Sequence, residues 1–409
     1  MRRMIPLVGA MAIVALCAVV VAAVGSGAST GVDPACAKRW WPQPRQNACG
    51  NSSVSDTSLP TVATVGRLAR AWVLPVPGGV GKPVVWQGRV YVVGGDGLLR
   101  AVDLATGTVG WKAKTGGGFS PPLVDGDVLL HWSEDDSDYG VLRRYAMGSG
   151  RVVWQQAAGS AQATADGNLY TRLVSARDLQ TGTLRWEQPI TCWYCGVAAA
   201  GRRVYVAGDL GEDASEAAAL YALDARTGKV VWTASSKADM SATTPVLAGG
   251  RLFVRTQIAS PGASSFEGTK MQIEAFRASD GTYLWTASAG TSRGTIGAFM
   301  PAANAALVVY PSAGGKLYAF DAATGATRWT MPFVLSAVSG GTPAITNGIV
   351  WFRDSANGRI VALDARNGRR LWTSKLLLAR YEGQGSPVLA GGTLLLAAEQ
   401  GLVAYRVGR

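Results

Sequence analysis

The chain has 409 residues, 48% of them hydrophobic, and 39 Lys and Arg against 27 Asp and Glu give it a formal net charge of +12. That length and apolar content can bury a large core with room for one repeat domain and a short appendage. The basic residues, among them Arg143, Arg144, Arg202, Arg203, Arg369 and Arg370, are dispersed rather than gathered into a stripe. This argues against nucleic acid and leaves plain solubility, or an anionic envelope component such as lipid headgroups or wall polymers.

Arg2 and Arg3 precede an uncharged stretch, residues 4–30, whose apolar core from Ile5 to Val24 is long enough to span a bilayer. Residues 1–30 read either as a retained single-pass anchor or as a cleaved signal sequence, for which Ser26-Gly27-Ala28 supplies small residues. Cys17 follows Val14-Ala15-Leu16, and the bulky Leu16 argues against lipidation. Basic residues on the short side put the remainder outside the cytoplasm, attached to the cell membrane or secreted.

Residues 31–64 form an N-terminal extension. Four cysteines lie beyond the apolar segment, Cys36, Cys49, Cys192 and Cys195, and an even number in an oxidising compartment suggests two disulfides. Three pairings are open; the expected one joins Cys36 to Cys49 around Trp40 and Trp41. Cys192 and Cys195 sit in Thr191-Cys192-Trp193-Tyr194-Cys195-Gly196, where a structural loop disulfide is favoured over a redox pair or a zinc site, since no helix start accompanies the motif.

Residues 65–409 carry a repeat, A-x-D-x-x-x-G-x-x-x-W. It is clearest at Asp103, Gly107 and Trp111; at Asp224, Gly228 and Trp232; at Asp321, Gly325 and Trp329; and at Asp364, Gly368 and Trp372. Asp178, Gly182 and Trp186 keep the frame, whereas Gly150 with Trp154 and Gly281 with Trp285 have Ala146 and Arg277 in place of Asp. The seven Trp stand 32 to 53 residues apart, a spacing suited to four-stranded propeller blades. One unit divides into apolar runs at Pro83 to Val85, Arg89 to Val93, Leu98 to Leu104 and Thr108 to Lys112, each break carrying Gly. The Asp can accept hydrogen bonds from turn amides, Gly supplies the positive φ, and Trp can bury against the next blade. At the C-terminus three strands, Ser386 to Ala390, Thr393 to Glu399 and Leu402 to Val407, lack a fourth, which Ala71 to Leu74 around Trp72 would supply. The expected fold is all-β: an eight-bladed propeller of four-stranded antiparallel blades, closed by pairing the N-terminal strand with the C-terminal ones.

These repeats resemble the tryptophan-docking repeat of the quinoprotein, or PQQ-like, β-propeller superfamily. Trp41-Pro42-Gln43-Pro44-Arg45 is similar to its W-P-Q-x-R opening, and Val65 to Trp72 to its first strand. One branch of that superfamily oxidises alcohols or sugars with pyrroloquinoline quinone; another, typified by the propeller lipoprotein of the β-barrel assembly machinery, binds proteins. The resemblance is closer to the second, because the adjacent cysteines of the quinone dehydrogenases are missing. The only His, His131, ends the run Val128-Leu129-Leu130 and reads as a strand residue near a blade rim rather than a base. The acidic run Glu134 to Asp138 lacks the order of a calcium loop and reads as a solvated hairpin. No catalytic, cofactor or metal residue is therefore assigned, and no cofactor is expected.

Recognition is expected in long loops on one face: Glu134 to Tyr139, Gly208 to Glu216, Ile258 to Lys270, and the inter-blade segments Cys192 to Cys195, Ala289 to Thr295 and Arg380 to Gln384. The expected function is a monomeric, non-enzymatic, extracytoplasmic scaffold for an envelope protein, an anionic envelope component or a ligand. A quinone-dependent dehydrogenase and a ligand sensor or wall-binding module are the alternatives.

Overall fold

The computed structural model describes residue 36 and residues 40–134, 140–191, 196–210, 219–236, 238, 243–258, 267–293, 300–333, 341–354, 357–375, 386–398 and 400–408. Eight sheets follow one another in chain order, and they form the blades of an all-β propeller. Blade 1 runs through Val84–Trp86, Arg89–Val93, Leu98–Asp103 and Val109–Lys114, close to the strands read from alternation. Blades 2 to 7 begin with inner strands Leu123–Asp125, Ala161–Ala165, Ala198–Ala200, Val246–Ala248, Ala302–Ala303 and Ala344–Thr346. Their outer strands are Val152–Ala157, Leu184–Glu187, Val230–Ser235, Tyr283–Arg293, Thr327–Pro332 and Arg370–Thr373. The short Trp154 to Trp186 interval fits because the strands of blade 3 have only four or five residues.

Blade 8 closes the ring. Its inner strands Val388–Ala390, Thr393–Ala398 and Gly401–Val407 come from the C-terminus, and its outer strand Leu68–Pro75 comes from upstream of blade 1. The two pair antiparallel from Leu68 opposite Val407 to Pro75 opposite Gly401, so the array ends without an open seam. Two blades carry a fifth strand: Ser53–Val54 runs parallel to the inner strand of blade 7, and Ile190–Thr191 pairs with Asp209 and Leu210 in blade 4.

Blade 5 corrects one expectation. Segments read as loops are partly strand: Glu267–Arg277 and Tyr283–Arg293 form a long hairpin in which Glu267 opposes Arg293. The alternation in Lys270-Met271-Gln272-Ile273 continues the ladder, and the extended hairpin packs on blade 6, where the Arg293 amide donates to Ala313 O at 3.2 Å. Likewise Gly208 to Leu210 complete the strand Arg203–Leu210.

The repeated residues interlock successive blades. The Trp111 indole donates to Met147 O at 2.8 Å, Trp154 to Gln180 O at 2.6 Å, Trp186 to Ala225 O at 3.0 Å, Trp285 to Ala322 O at 3.3 Å and Trp329 to Ala365 O at 2.9 Å. Trp72 does the same across the closure, donating to Leu104 O at 3.0 Å. Each ring lies over the turn glycine of the following blade: a Cβ on Gly228 would sit 2.7 Å from Trp186, and one on Gly107 2.7 Å from Trp72. These glycines also hold φ of +73° and +78°, so one residue type meets two demands. Blade 4 departs from the pattern. There Ala278 O accepts from Tyr205 Oη at 3.2 Å, and Trp232 Nε1 is buried without an acceptor. Behind several of these rings stands an aromatic of the same blade, as in Tyr91 with Trp111, Tyr170 with Trp186 and Phe253 with Trp285, at 5.8 to 6.1 Å between centroids.

The repeat Asp closes its own turn. Asp321 Oδ1 accepts from the Ala323 and Thr324 amides at 2.9 Å, and Asp178 Oδ1 accepts from those of Gln180 and Thr181. The Thr181 amide holds the Asp178 carboxyl down to about 2, and the Arg328 guanidinium does the same for Asp321. In blade 5, where Arg277 replaces Asp, Asp280 takes over the turn, and its bonds to Thr282 bring it to about 2.

Two outcomes are expected. Gly228→Ala should lower stability in denaturant unfolding by about 2–4 kcal/mol, because strain at positive φ adds to a clash with Trp186. Gly88→Ala, at φ +77° with open space around its Cβ, should lose only about 1 kcal/mol. Because these aspartates titrate lower folded than their ordinary 3.8, their contribution is complete above about pH 4. It should vanish as pH falls through about 2, and the double variant Asp178→Asn, Asp321→Asn should flatten that part of a stability-against-pH curve.

Candidate functional site

The inner strand of every blade turns one hydrogen-bonding edge toward the propeller axis, and those amides need partners. The N-terminal extension supplies them blade by blade. Trp41 exchanges bonds with Val85 of blade 1 at 3.0 and 2.6 Å, and Pro42 O accepts from the Val124 amide of blade 2 at 2.8 Å. The Gln43 side chain donates to Thr164 O and accepts from the Thr164 amide in blade 3. Ala48 O, Cys49 O, Asn51 O and Ser52 O then accept from Ala199, Leu247, Ala303 and Ile345 of blades 4 to 7 at 2.8 to 3.0 Å. At blade 8 the Trp40 ring lies against Gly391 and Ser58 O against Gly392.

The segment is therefore a plug in the axial channel, and Trp41, Gln43, Gln46, Cys49 and Ser52 are all 0–1% exposed. The Cys36–Cys49 disulfide is formed as expected, and Cys49 lies at the wall between blades 4 and 5. Sequence reading took Trp41 to Arg45 only as an opening motif. The channel role has no local signal, because its contacts span about 40 to 290 residues of chain.

The plug brings Arg45 into the channel. Its guanidinium packs on Gly50, where a Cβ would sit 2.6 Å from Nη2, and Nη1 is buried without an acceptor. Lys82, just before the inner strand of blade 1, is 8% exposed. Burial, with the nearby Arg45 charge, brings its ammonium down to about 7, and burial brings Arg45 to about 10. Sequence reading placed Arg45 only in the opening motif and did not single out Lys82.

Beside the plug an open cavity of about 470 Å³ lies among the first turns of blades 2, 3 and 4, lined by Ala48, Asp125, Asp127 and Asp166. Asp127 is engaged by Arg144 at 3.7 Å and Gln180 at 3.4 Å. Among the described residues no group of three or more His, Cys, Asp or Glu is placed to hold a metal ion.

His131 is fully buried in the middle of the second strand of blade 2, not near a rim as expected. Burial, aided by the Arg143 charge, lowers it to about 4, so it stays neutral at ordinary pH. A buried carboxylate that sequence reading did not single out, Glu274, accepts from Ser236 Oγ at 2.7 Å between blades 4 and 5, and burial raises its titration. Glu134 is exposed, while Asp135 to Asp138, Cys192, Cys195, Arg380 to Gln384 and the apolar segment at residues 4–30 lie outside the described residues. Among the described residues no helix is long and apolar enough to cross a membrane.

The PQQ-repeat model described as outer membrane protein assembly factor BamB matches residues 50–191, 171–292 and 269–408. The chain belongs to the PQQ-like β-propeller family. No functionally curated protein matches the sequence. Among solved structures it is similar to BamB from Moraxella catarrhalis, at 16% identity and TM-score 0.61, over 83% of this chain and 97% of that one. It is similar to the quinohemoprotein alcohol dehydrogenase from Comamonas testosteroni at 14% identity and TM-score 0.62, over 91% and 81% of the two chains. A computationally designed protein, Ika8, matches at 15% identity and TM-score 0.62, over 83% and 99%. Such low identity shows the PQQ-like propeller fold alone, and that fold hosts a protein-assembly factor and an oxidoreductase equally well.

The plug makes its own prediction. Replacing Cys36 and Cys49 together by Ala should lower stability by about 3 kcal/mol, as expected for a loop of this size. Trp41→Ala should cost about 3–5 kcal/mol for the lost ring; both are read by denaturant unfolding under oxidising conditions.

Proposed function

We propose that this protein is a non-enzymatic, extracytoplasmic scaffold that binds a protein partner along the rim of blades 2 to 5. The observation that carries the reading is a row of exposed apolar side chains at matching positions of four successive outer strands. Val152 and Val153, Leu184, Val230 and Val231, and Tyr283 are 38–52% exposed. Each lies two or three residues after the turn glycine of its blade. The same positions hold Thr327 and Arg328 in blade 6, and Arg370 and a half-buried Leu371 in blade 7. Scattered exposed aliphatics are ordinary, but one sequence position repeated around half a rim marks an interaction surface.

The strands that carry the row are also the outer edges of their sheets, open to pairing with an extended segment of a partner. A Cys36–Cys49 disulfide fits an oxidising compartment, and the name of the matching family, an outer membrane protein assembly factor, fits a role in holding other proteins. The burial of His131 speaks against a dehydrogenase that would use it as base.

The test is site-specific photocross-linking in intact cells. A cross-linker at Val153, Val231 or Tyr283 should give reproducible protein adducts, and one at Thr327 or Arg370 should not. The double variant Val153→Glu, Val231→Glu should cut adduct yield at least about tenfold while the melting temperature holds. Equal labelling of both arcs would remove the rim assignment. Dye-linked alcohol oxidation on adding pyrroloquinoline quinone and Ca²⁺ would remove the non-enzymatic reading.

A further inference from the structure

We propose that the rim of blades 7, 8 and 1 is a docking surface for anionic lipid headgroups at a membrane. It lies across the ring from the apolar row, so the inference stands apart from the partner proposed there.

The outer strands of these three neighbouring blades, Arg370–Thr373, Leu68–Pro75 and Val109–Lys114, contain basic residues and no Asp or Glu. With the residues just before them they present Arg369 and Arg370, Arg67 and Arg70, and Lys112 and Lys114, all exposed. None of these side chains takes part in a salt bridge among the described residues. Elsewhere on the rim the repeat aspartate neutralises the arginine of the outer strand, as Asp178 does for Arg185 and Asp321 for Arg328.

The arc escapes that neutralisation for structural reasons. Blade 8 is closed by a strand from upstream, so no turn joins its last two strands and no aspartate is needed to shape one. The register that sets Ala362 opposite Trp372 and Ala404 opposite Trp72 puts Arg406 where the repeat of blade 7 has Asp364. Asp364 itself is 1% exposed and held by Arg366 at 2.9 Å, which leaves Arg369 and Arg370 unpaired. In blade 1 Asp103 is engaged by Thr106 in its own turn, and the two lysines lie further along the strand.

A surface tuned for solubility alone mixes both signs of charge. This arc carries one sign over three blades, and charges on separate strands suit a sheet of many mobile headgroups better than a single small anion. The chain also holds an apolar run, Ile5 to Val24, long enough to enter a bilayer, which favours lipid over a soluble polyanion. Each Lys or Arg near an anionic surface raises partitioning about fivefold, so the set binds where one residue would not. In a ring of eight, blade 8 stands opposite blade 4, within the apolar row. Docked by its basic arc, the protein would hold that row away from the membrane.

The test uses the full-length protein on vesicles of phosphatidylcholine alone or with about one-third phosphatidylglycerol. A fluorescent amino acid is placed at Ala69, exposed beside Arg70, or at Thr233, exposed on blade 4, and quenching by a headgroup-labelled lipid is read. Insertion of the apolar run occurs on both vesicle types, so only contact of the labelled face distinguishes them. The Ala69 label should be quenched at least about fivefold more on phosphatidylglycerol vesicles, and the difference should vanish near 1 M salt, where the screening length is about 3 Å. The Thr233 label should not respond. The variant Arg67→Gln, Arg70→Gln, Arg369→Gln, Arg370→Gln should cut the Ala69 response at least about tenfold at an unchanged melting temperature, and Lys112→Gln, Lys114→Gln should reduce it less. Equal quenching on both lipids, equal quenching of the two labels, or a quadruple variant within twofold of the parent overturns the proposal. So does binding of soluble polyphosphate without any lipid contact, which would assign the arc to a polymer.

Discussion

The contact on which the rest of the molecule depends is the one between a tryptophan of one blade and the turn glycine of the next. The indole ring covers a Cα that has no side chain, and its N–H reaches a carbonyl of the same turn. The aspartate that shapes the turn is held by its own amides, so the surface receiving the ring is rigid before the ring arrives. Repeating this joint fixes the angle between neighbours, and a fixed angle closes into a ring of eight. Trp72 is the same joint made by a strand from the other end of the chain, which Arg406 reinforces by donating to Ala105 O.

Ring closure settles the outer seams and creates a second problem at the axis. Eight inner strands converge with unpaired amides, and in this protein one stretch of chain, from Trp41 to Ser52, meets seven of them in order while residues on either side of it reach the eighth. The plug ties the start of the sequence to every blade. It also carries Arg45 into a place where a charge is expensive, with Nη1 buried without an acceptor. The rim is the opposite case. Its exposed valines and Tyr283 cost the isolated molecule little.

Much of the architecture was legible because it is periodic. Asp103, Gly107 and Trp111 and their counterparts stand at fixed local spacing, and strand alternation around them gave the blades, their number and the closing role of Trp72. Where local signals are absent, reading stopped short. Glu267 to Lys270 and Ala289 to Arg293 read as loop in the sequence, yet pairing across the hairpin carries the ladder through them. His131 looked like a rim residue because it ends an apolar run, although the strand continues through Trp132 and Ser133 and buries it. The row of apolar residues on blades 2 to 5 was present in the sequence at the positions after each turn glycine. It could have been found by comparing the repeats position by position.

The sequence by itself determined the repeat, the blade count and the turn chemistry, since each rests on residues close together in the chain or on a spacing that recurs; it favoured the Cys36–Cys49 pair among three, and the structure shows that one. Tertiary structure alone decided that residues 40–58 fill the axis, that the Arg45 guanidinium lies against Gly50, and in what register the outer strand of blade 8, from upstream of blade 1, pairs with the C-terminus. The first and last of those arrangements join residues far apart in sequence through the geometry of a closed ring, and no local pattern of amino acids encodes a distance that exists only after the ring has closed.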